Sequence, residues 1–291
     1  SIILGSIFRF KMNLSIKINA FIKITRPVNV VITFFVVVVA ILISQENDIE
    51  FYKIIFSSIV AALVAAAGNI INDIYDIETD KVSHPERVLV LESLSKKEAI
   101  YFYNFLNILA IIIASRLSDI LLLIVFISIL ILYIYSYYLK KIPLLGNVTV
   151  ASLTGLTFIY GGFVSGNPIA AIVPAVFAFL INLVREIVKD IQDIEGDYKI
   201  GYQTFPIKYG IQKSNFLILF IIVALILYTL YPFVTKLYKI EYFLIVMLIV
   251  NPVLILSLKL LFEKNLKKLT LISNLLKLDM LFGLLAIYLG K

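Results

Sequence analysis

Two groups of aspartates with the same internal spacing stand out in the sequence: Asp73, Asp76 and Asp80, then Asp190, Asp193 and Asp197, each reading D-x-x-D-x-x-x-D, with an offset of 117 positions. Each group follows a long apolar stretch. On a helix turning about 100° per residue, positions i, i+3 and i+7 fall within an arc of about 60°. The spacing therefore predicts three carboxylates on one face at each place. Asn69 and Asn72 extend the first face; Asn182, Glu186 and Lys189 lie beside the second. Three carboxylates on one face repel unless a cation sits among them. All-oxygen donors, with no cysteine and a single histidine, His84, favour Mg²⁺ over zinc. Mg²⁺ usually takes one or two carboxylates and completes its shell with water and substrate phosphate. The predicted ligands are Asn72, Asp76 and Asp80 for one ion and Asp193 and Asp197 for a second, a pair suited to clamping a diphosphate. The competing reading of such a cluster is a solvated acidic face balanced by Lys81, Arg87, Lys96 and Lys199. Two matched clusters, each preceded by amides or acids inside an apolar span, favour the metal site.

A diphosphate with its metals also needs direct cationic partners. Candidates are Arg26, before Pro27 at the start of the first apolar stretch, Arg87 in the loop after the first cluster, and Lys140, which follows Tyr133, Tyr135, Tyr137 and Tyr138. Tyr135, Lys189 and Asn69 complete the predicted substrate contacts. The ordinary reading of these lysines and arginines is topology and snorkelling, of the tyrosines an interfacial belt, and of His84 a loop residue.

These residues need elements to position them, and the composition says which. Of 291 residues 61% are hydrophobic and only 15% charged, and the mean hydropathy is +1.01. A soluble domain has about 45–50% apolar and roughly 25% charged residues, so this is an all-α membrane protein. Nine stretches reach the length of about 20 residues that a helical span requires: 24–44, 53–72, 98–115, 119–138, 147–165, 168–186, 214–233, 240–260 and 270–289. Short connections such as Ser165-Gly166-Asn167-Pro168 imply antiparallel neighbours in a bundle. Tryptophan is absent, so tyrosine and phenylalanine must supply any aromatic belt. The charge of +7 is not gathered into a basic stripe, which argues against nucleic-acid binding. Residues 1–11 carry no cleavage site and precede Met12, and are expected to be an upstream extension of a single domain.

The lysines and arginines divide 21 to 5 between the two sides of this bundle, placing the N-terminus and both acidic clusters in the cytoplasm. Four spans separate the clusters, so both motif helices run the same way. At the 117-residue offset Lys23 falls on Lys140, Asn69 on Glu186 and Asn72 on Lys189. The pattern suggests a duplicated unit, about 24–138 and 147–260.

Asn72-Asp73-Ile-Tyr-Asp76-Ile-Glu-Thr-Asp80 resembles the first motif, NDxxDxxxD, of the UbiA superfamily of intramembrane prenyltransferases. Asp193-Ile-Glu-Gly-Asp197 resembles its second motif, DxxxD; Tyr135 to Lys140 resembles YxxxxK; Arg26-Pro27 matches a pair common at its first span. The resemblance covers most of the chain and implies a nine-helix fold and two Mg²⁺ ions on a prenyl diphosphate. Within the superfamily, Arg185-Glu-Ile-Val-Lys189-Asp190, Thr204-Phe-Pro-Ile and Lys141-Ile-Pro-Leu-Leu-Gly146-Asn147 are similar to archaeal digeranylgeranylglyceryl phosphate synthases. That similarity implies geranylgeranyl diphosphate as donor and geranylgeranylglyceryl phosphate as acceptor, both within the lipid bilayer. The acceptor hydroxyl must lose a proton, and Asp73 and Asp190 are the nearest catalytic candidates by helix face. Lys23, Arg26, Lys189 and Lys208 are available to the acceptor phosphate.

One departure stands out. The family's Pro-x-Arg-Pro and glycine turn is replaced by Pro85-Glu86-Arg87-Val88, without the second proline or the glycine. This predicts a more extended, mobile loop and a loosened Arg87. Two rival enzymes and one rival non-enzyme remain as comparisons. An aromatic prenyltransferase of quinone biosynthesis would share the site. A CDP-alcohol phosphotransferase requires an Asp-Gly-x-x-Ala-Arg element that the chain lacks. A cation transporter would place its charges near the midplane on broken helices, whereas these carboxylates lie at span ends.

Overall fold

The computed structural model describes residues 15–199, 201–263 and 267–291. The expected extension at 1–11, Met12 and Lys264 lie outside the described residues. What is described is helical. A short helix α1 (15–24) leads into α2 (Pro27–Ser44), α3 (Phe51–Tyr75), α4 (Ile77–Ser83), α5 (Lys96–Ser115) and α6 (Asp119–Tyr137). There follow α7 (Leu145–Ser165), α8 (Ile172–Gln192), α9 (Ile194–Lys199), α10 (Phe205–Tyr209) and α11 (Ile211–Val234). The last two are α12 (Ile240–Phe262), with a π-helical turn at Val246–Val250, and α13 (Lys267–Gly290).

All nine expected stretches are helices. Among the described residues, eight are long and apolar enough to cross a membrane. The remaining one, α8, carries Arg185, Glu186, Lys189 and Asp190 in its last two turns, because it is the helix that delivers the second acidic motif. The turn expected at Gly166 closes α7 with a Schellman motif. Gly166 is left-handed at φ 79°, the Asn167 N–H donates to the Gly162 carbonyl at 2.9 Å, and the Gly166 N–H to that of Phe163 at 3.3 Å.

The chain divides into two compact units: the described residues up to Phe35 with Tyr52–Tyr137, and Val36–Phe51 with Tyr138–Lys291. In the first, Ala66, Ala67, Ile70 and Ile74 of α3 pack with Ile24, Ala99 and Leu106. In the second, Val184, Ile187, Val188 and Ile191 of α8 pack with Ile218 and Ile222 of α11 and Ile272 and Leu276 of α13. Large apolar side chains also point outward, among them Phe126, Phe216, Phe220, Leu227 and Leu281, as spans facing lipid require. Helices in lipid gain little from burial as such and rely on close packing through small residues. Gly161 shows this: a Cβ there would stand 2.6 Å from the Ala40 Cβ.

Candidate active site

The acidic motif of the first unit is not one continuous helix. α3 ends at Tyr75, Asp76 takes φ −98° and ψ 6°, and α4 begins at Ile77. The second motif breaks at the equivalent residue: α8 ends at Gln192, Asp193 takes φ −94° and ψ 6°, and α9 begins at Ile194. The backbone bonds across the breaks match as well. Asp76 N–H donates to Asn72 O, and Asp193 N–H to Lys189 O, both at 2.9 Å; Asp80 N–H reaches Asp76 O at 2.7 Å and Asp197 N–H reaches Asp193 O at 2.9 Å. The three aspartates of each motif therefore do not lie on one uninterrupted helix. Among the described residues, no three carboxylate or histidine side chains converge as a ready-made metal cage.

The three aspartates of each motif have different surroundings. Asp73 is buried, 3% exposed. Its Oδ1 accepts from Arg26 Nη2 and from Arg87 Nη1, each at 2.5 Å. One oxygen of the carboxylate is thus held by two guanidinium groups. Arg26 sits at φ 54° immediately before Pro27. A left-handed arginine costs on the order of 1–2 kcal/mol, and the bond to Asp73 offsets it. The Asn69 amide donates to the Thr25 carbonyl at 2.8 Å, bracing the turn that presents Arg26.

Arg87 is not loosened by the missing proline and glycine. The stretch folds into turns, and Val88, Leu89 and Leu94 are buried in the core of the first unit. These apolar anchors hold the stretch in place. His84 is exposed and faces Glu86, a loop residue as expected.

Asn72 donates through Nδ2 to Asp76 Oδ2 at 2.7 Å. Asp80 is 4% exposed. Burial pushes its carboxyl up to about 6; Arg87 opposes the shift, and the charges of Asp73 and Asp76 add to it. Tyr135 is half-buried on α6. Its neighbours on that helix, Tyr133 and Tyr137, close around Tyr75 of the motif, with the Tyr75 hydroxyl donating to that of Tyr133 at 3.0 Å.

In the second unit, Asn147 Nδ2 donates to Asp190 Oδ2 at 2.9 Å. Lys189 pairs with Glu186 at 2.5 Å, and Arg185 donates to Asn182 Oδ1 at 2.9 Å. Asp193 is exposed and Asp197 half-buried. Lys140 lies in a 3₁₀ turn, Leu139–Lys141. That turn is held from three directions: Leu144 is left-handed at φ 64°, a Cβ on Gly146 would stand 2.9 Å from the Lys140 Cα, and Lys141 lies over the Tyr202 ring. One tight connection thus sets the backbone of Lys140 and, through Asn147, the orientation of Asp190.

Sequence reasoning missed Asn147 as a partner of Asp190, and it missed the Arg26–Asp73–Arg87 bridge. The first lies 43 positions from its partner. The signal for the second was present in Arg26-Pro27 and Arg87, but their convergence on one carboxylate is tertiary. The donors at the motif ends are oxygens, from Asn72, Asp76 and Asp80 in the first and from Asp193 and Asp197 in the second, and this fits Mg²⁺ that shares its shell with substrate phosphate.

Residues 32–277 match the UbiA prenyltransferase family. The chain belongs to that family. It is 34% identical to the digeranylgeranylglyceryl phosphate synthase of Methanosphaera stadtmanae, over 94% of this chain and 99% of that protein. It is 38% identical to the synthase of the same name from Methanothermobacter thermautotrophicus, over 68% of this chain and 70% of that one. A solved structure concerned with digeranylgeranylglyceryl phosphate synthase in membranes superposes with a TM-score of 0.78 at 33% identity, covering 94% of this chain and 98% of that one. The UbiA homologue of Archaeoglobus fulgidus bound to GPP and Mg²⁺ shares the fold at TM-score 0.68 and 17% identity, over 92% of this chain and 99% of that one. Family membership and eight apolar helices of spanning length make this a multi-pass membrane protein.

Proposed function

We propose that this protein transfers a geranylgeranyl group from geranylgeranyl diphosphate to the free hydroxyl of geranylgeranylglyceryl phosphate, forming the second ether bond of archaeal membrane lipids. The observation that carries the reading is the identity of about a third along nearly the whole length of synthases that carry that name. The matched helix breaks at Asp76 and Asp193 support it from the structure.

Two Mg²⁺ ions bound with the diphosphate would neutralise the charge that develops as the allylic C–O bond breaks. Asn72, Asp76 and Asp80 are the residues to hold one, Asp193 and Asp197 the other. Arg26 and Arg87, fixed by Asp73, present guanidinium donors to phosphate oxygens, and Lys140 adds a further charge with Tyr135 beside its motif. Lys189 and its neighbours serve the acceptor phosphate. Asp190, oriented by the Asn147 amide, takes the proton of the acceptor hydroxyl as the new C–O bond forms. Apolar helices around the reacting carbon keep water from the allylic cation, which it would otherwise capture. The excess of lysine and arginine on one side puts the N-terminus and this chemistry in the cytoplasm. The equal helix breaks support a duplication of the motif-bearing unit within one domain.

Turnover of labelled geranylgeranyl diphosphate by the purified protein, with and without Mg²⁺, tests this. Mg²⁺-dependent product from geranylgeranylglyceryl phosphate and none from 4-hydroxybenzoate is expected. Product from the aromatic acid alone would move the protein to quinone biosynthesis. No product from either, with metal flux in liposomes, would make it a transporter.

A further inference from the structure

Asp279 belongs to no motif and has no place in the reaction above. It lies near the middle of α13, twelve residues after Lys267 and eleven before Gly290. At 1.5 Å per residue that is about 16–18 Å from either end, close to the level of a bilayer midplane. It is 1% exposed, and neither carboxyl oxygen has a hydrogen-bond partner among the described residues. A buried carboxyl group at such depth is expensive and marks a functional site by default.

Asp279 lines a partly open cavity of about 80 Å³ that lies wholly within the second unit. One water needs about 10–15 Å³ on this measure, so the cavity admits several groups of that size, such as the end of a chain and its first carbons. The lining is otherwise apolar, from residues such as Phe158, Ile181, Leu225 and the thioether of Met280, apart from three hydroxyls. Each of those already has a bond: Thr154 to the Val150 carbonyl, Thr229 to the Ile226 carbonyl, and Tyr242 to the Thr229 carbonyl. The hydroxyl donors are therefore spent on the backbone, and Asp279 is the lining side chain whose oxygens have no bond at all.

The cavity is distinct from the acidic motif. Asn182 contacts the sulfur of Met280, the neighbour of Asp279. Asn182 precedes Asp190 by eight residues, about 12 Å of helix. A cation would have to enter an apolar chamber and lose its water, at a cost that one carboxylate seldom recovers. A neutral hydroxyl brings a donor and an acceptor without that cost.

From the unpartnered Asp279 and its apolar chamber we infer a second ligand site, which takes the hydroxyl end of a long-chain alcohol from the membrane and is separate from the diphosphate site. Two sources share that chemistry, a free prenyl alcohol and a glycerol lipid with an open hydroxyl. The site does not depend on the transfer reaction, and its test involves no turnover.

The test uses the full-length protein in lipid nanodiscs, with apparent affinities taken from the dose dependence of the unfolding temperature. The probes are farnesol, farnesyl methyl ether and 1-O-dodecylglycerol. A buried acceptor left without its donor weakens binding by about tenfold or more. Farnesol is therefore expected to bind at least about tenfold more tightly than its ether, and Asp279→Leu to abolish that preference; the dodecylglycerol result then tells which source the site prefers. Equal affinity of alcohol and ether for the wild type overturns the inference, as does an unchanged preference in Asp279→Leu. If neither alcohol binds, water serves Asp279 and the inference also falls. Should Asp279→Leu fail to fold, the wild-type comparison of alcohol and ether decides alone.

Discussion

The two guanidinium groups on Asp73 give a prediction that separates holding the arginines from taking a proton. Asp73→Asn keeps the shape and an acceptor oxygen but removes the charge. A hydrogen bond to a charged group contributes about 1.5–3 kcal/mol and a neutral one about 0.5–1.5. Each of the two bonds thus loses about 1–1.5 kcal/mol, and the pair about 2–3. The arginine side chains are 31% and 24% exposed, so water recovers part of this and the lower figure applies. That energy fixes both guanidiniums in place and bounds what their release costs donor binding. At about 1.4 kcal/mol per factor of ten, 2 kcal/mol is roughly 30-fold. Asp73→Asn should raise the KM for geranylgeranyl diphosphate by about that factor while leaving kcat at saturating donor within a few-fold. Steady-state kinetics over donor concentration give both. In an Arg26→Ala, Arg87→Ala background the same change should add little, because residues of one network are not additive. A large fall in kcat at unchanged KM, or an undiminished effect in the arginine-free background, would refute the reasoning and return Asp73 to the role of base.

Gly146→Ala forces a Cβ onto the Lys140 backbone, and should lower donor affinity about tenfold or more by displacing that turn, with helix content by circular dichroism unchanged. Gly161→Val overpacks the approach to Ala40 and should lower stability by about 1–3 kcal/mol, seen as an earlier thermal transition without a change in donor KM. Burial holds the Asp80 carboxyl at about 6, above its unfolded value near 3.9. The folded, metal-free protein therefore keeps a proton that the unfolded chain has released. Stability from this group is full below about pH 4 and lost as pH rises through about 6, and Asp80→Asn should flatten that slope in denaturation at stepped pH. Chelation should abolish turnover, and Asp76→Asn or Asp193→Asn should raise the Mg²⁺ concentration for half-maximal rate by roughly tenfold.

Much of this protein was legible in its sequence, because the relevant signals are local. The nine apolar runs all lie in helices, eight of them long and apolar enough among the described residues to cross a membrane, since a helix satisfies its backbone within itself. The Gly166 turn was readable for the same reason, as its left-handed φ is a property of one residue. The aspartate spacing pointed to the motif ends, but not to the breaks within them. A helical wheel assumes a continuous helix, and both motifs break at their middle aspartate, at nearly equal φ and ψ. Tertiary structure alone decided what each aspartate contacts. Asp73 faces two arginines that arrive from positions 47 residues earlier and 14 later, and Asp190 faces an amide from another helix. The Arg87 loop was misjudged because the absence of proline and glycine is visible in sequence, whereas the burial of Val88, Leu89 and Leu94 that replaces them exists only once α3 and α5 lie beside the loop. The same holds for Asp279, one acid in an apolar run by sequence. Only the surrounding helices show that it faces a cavity in which every other polar group is already bonded.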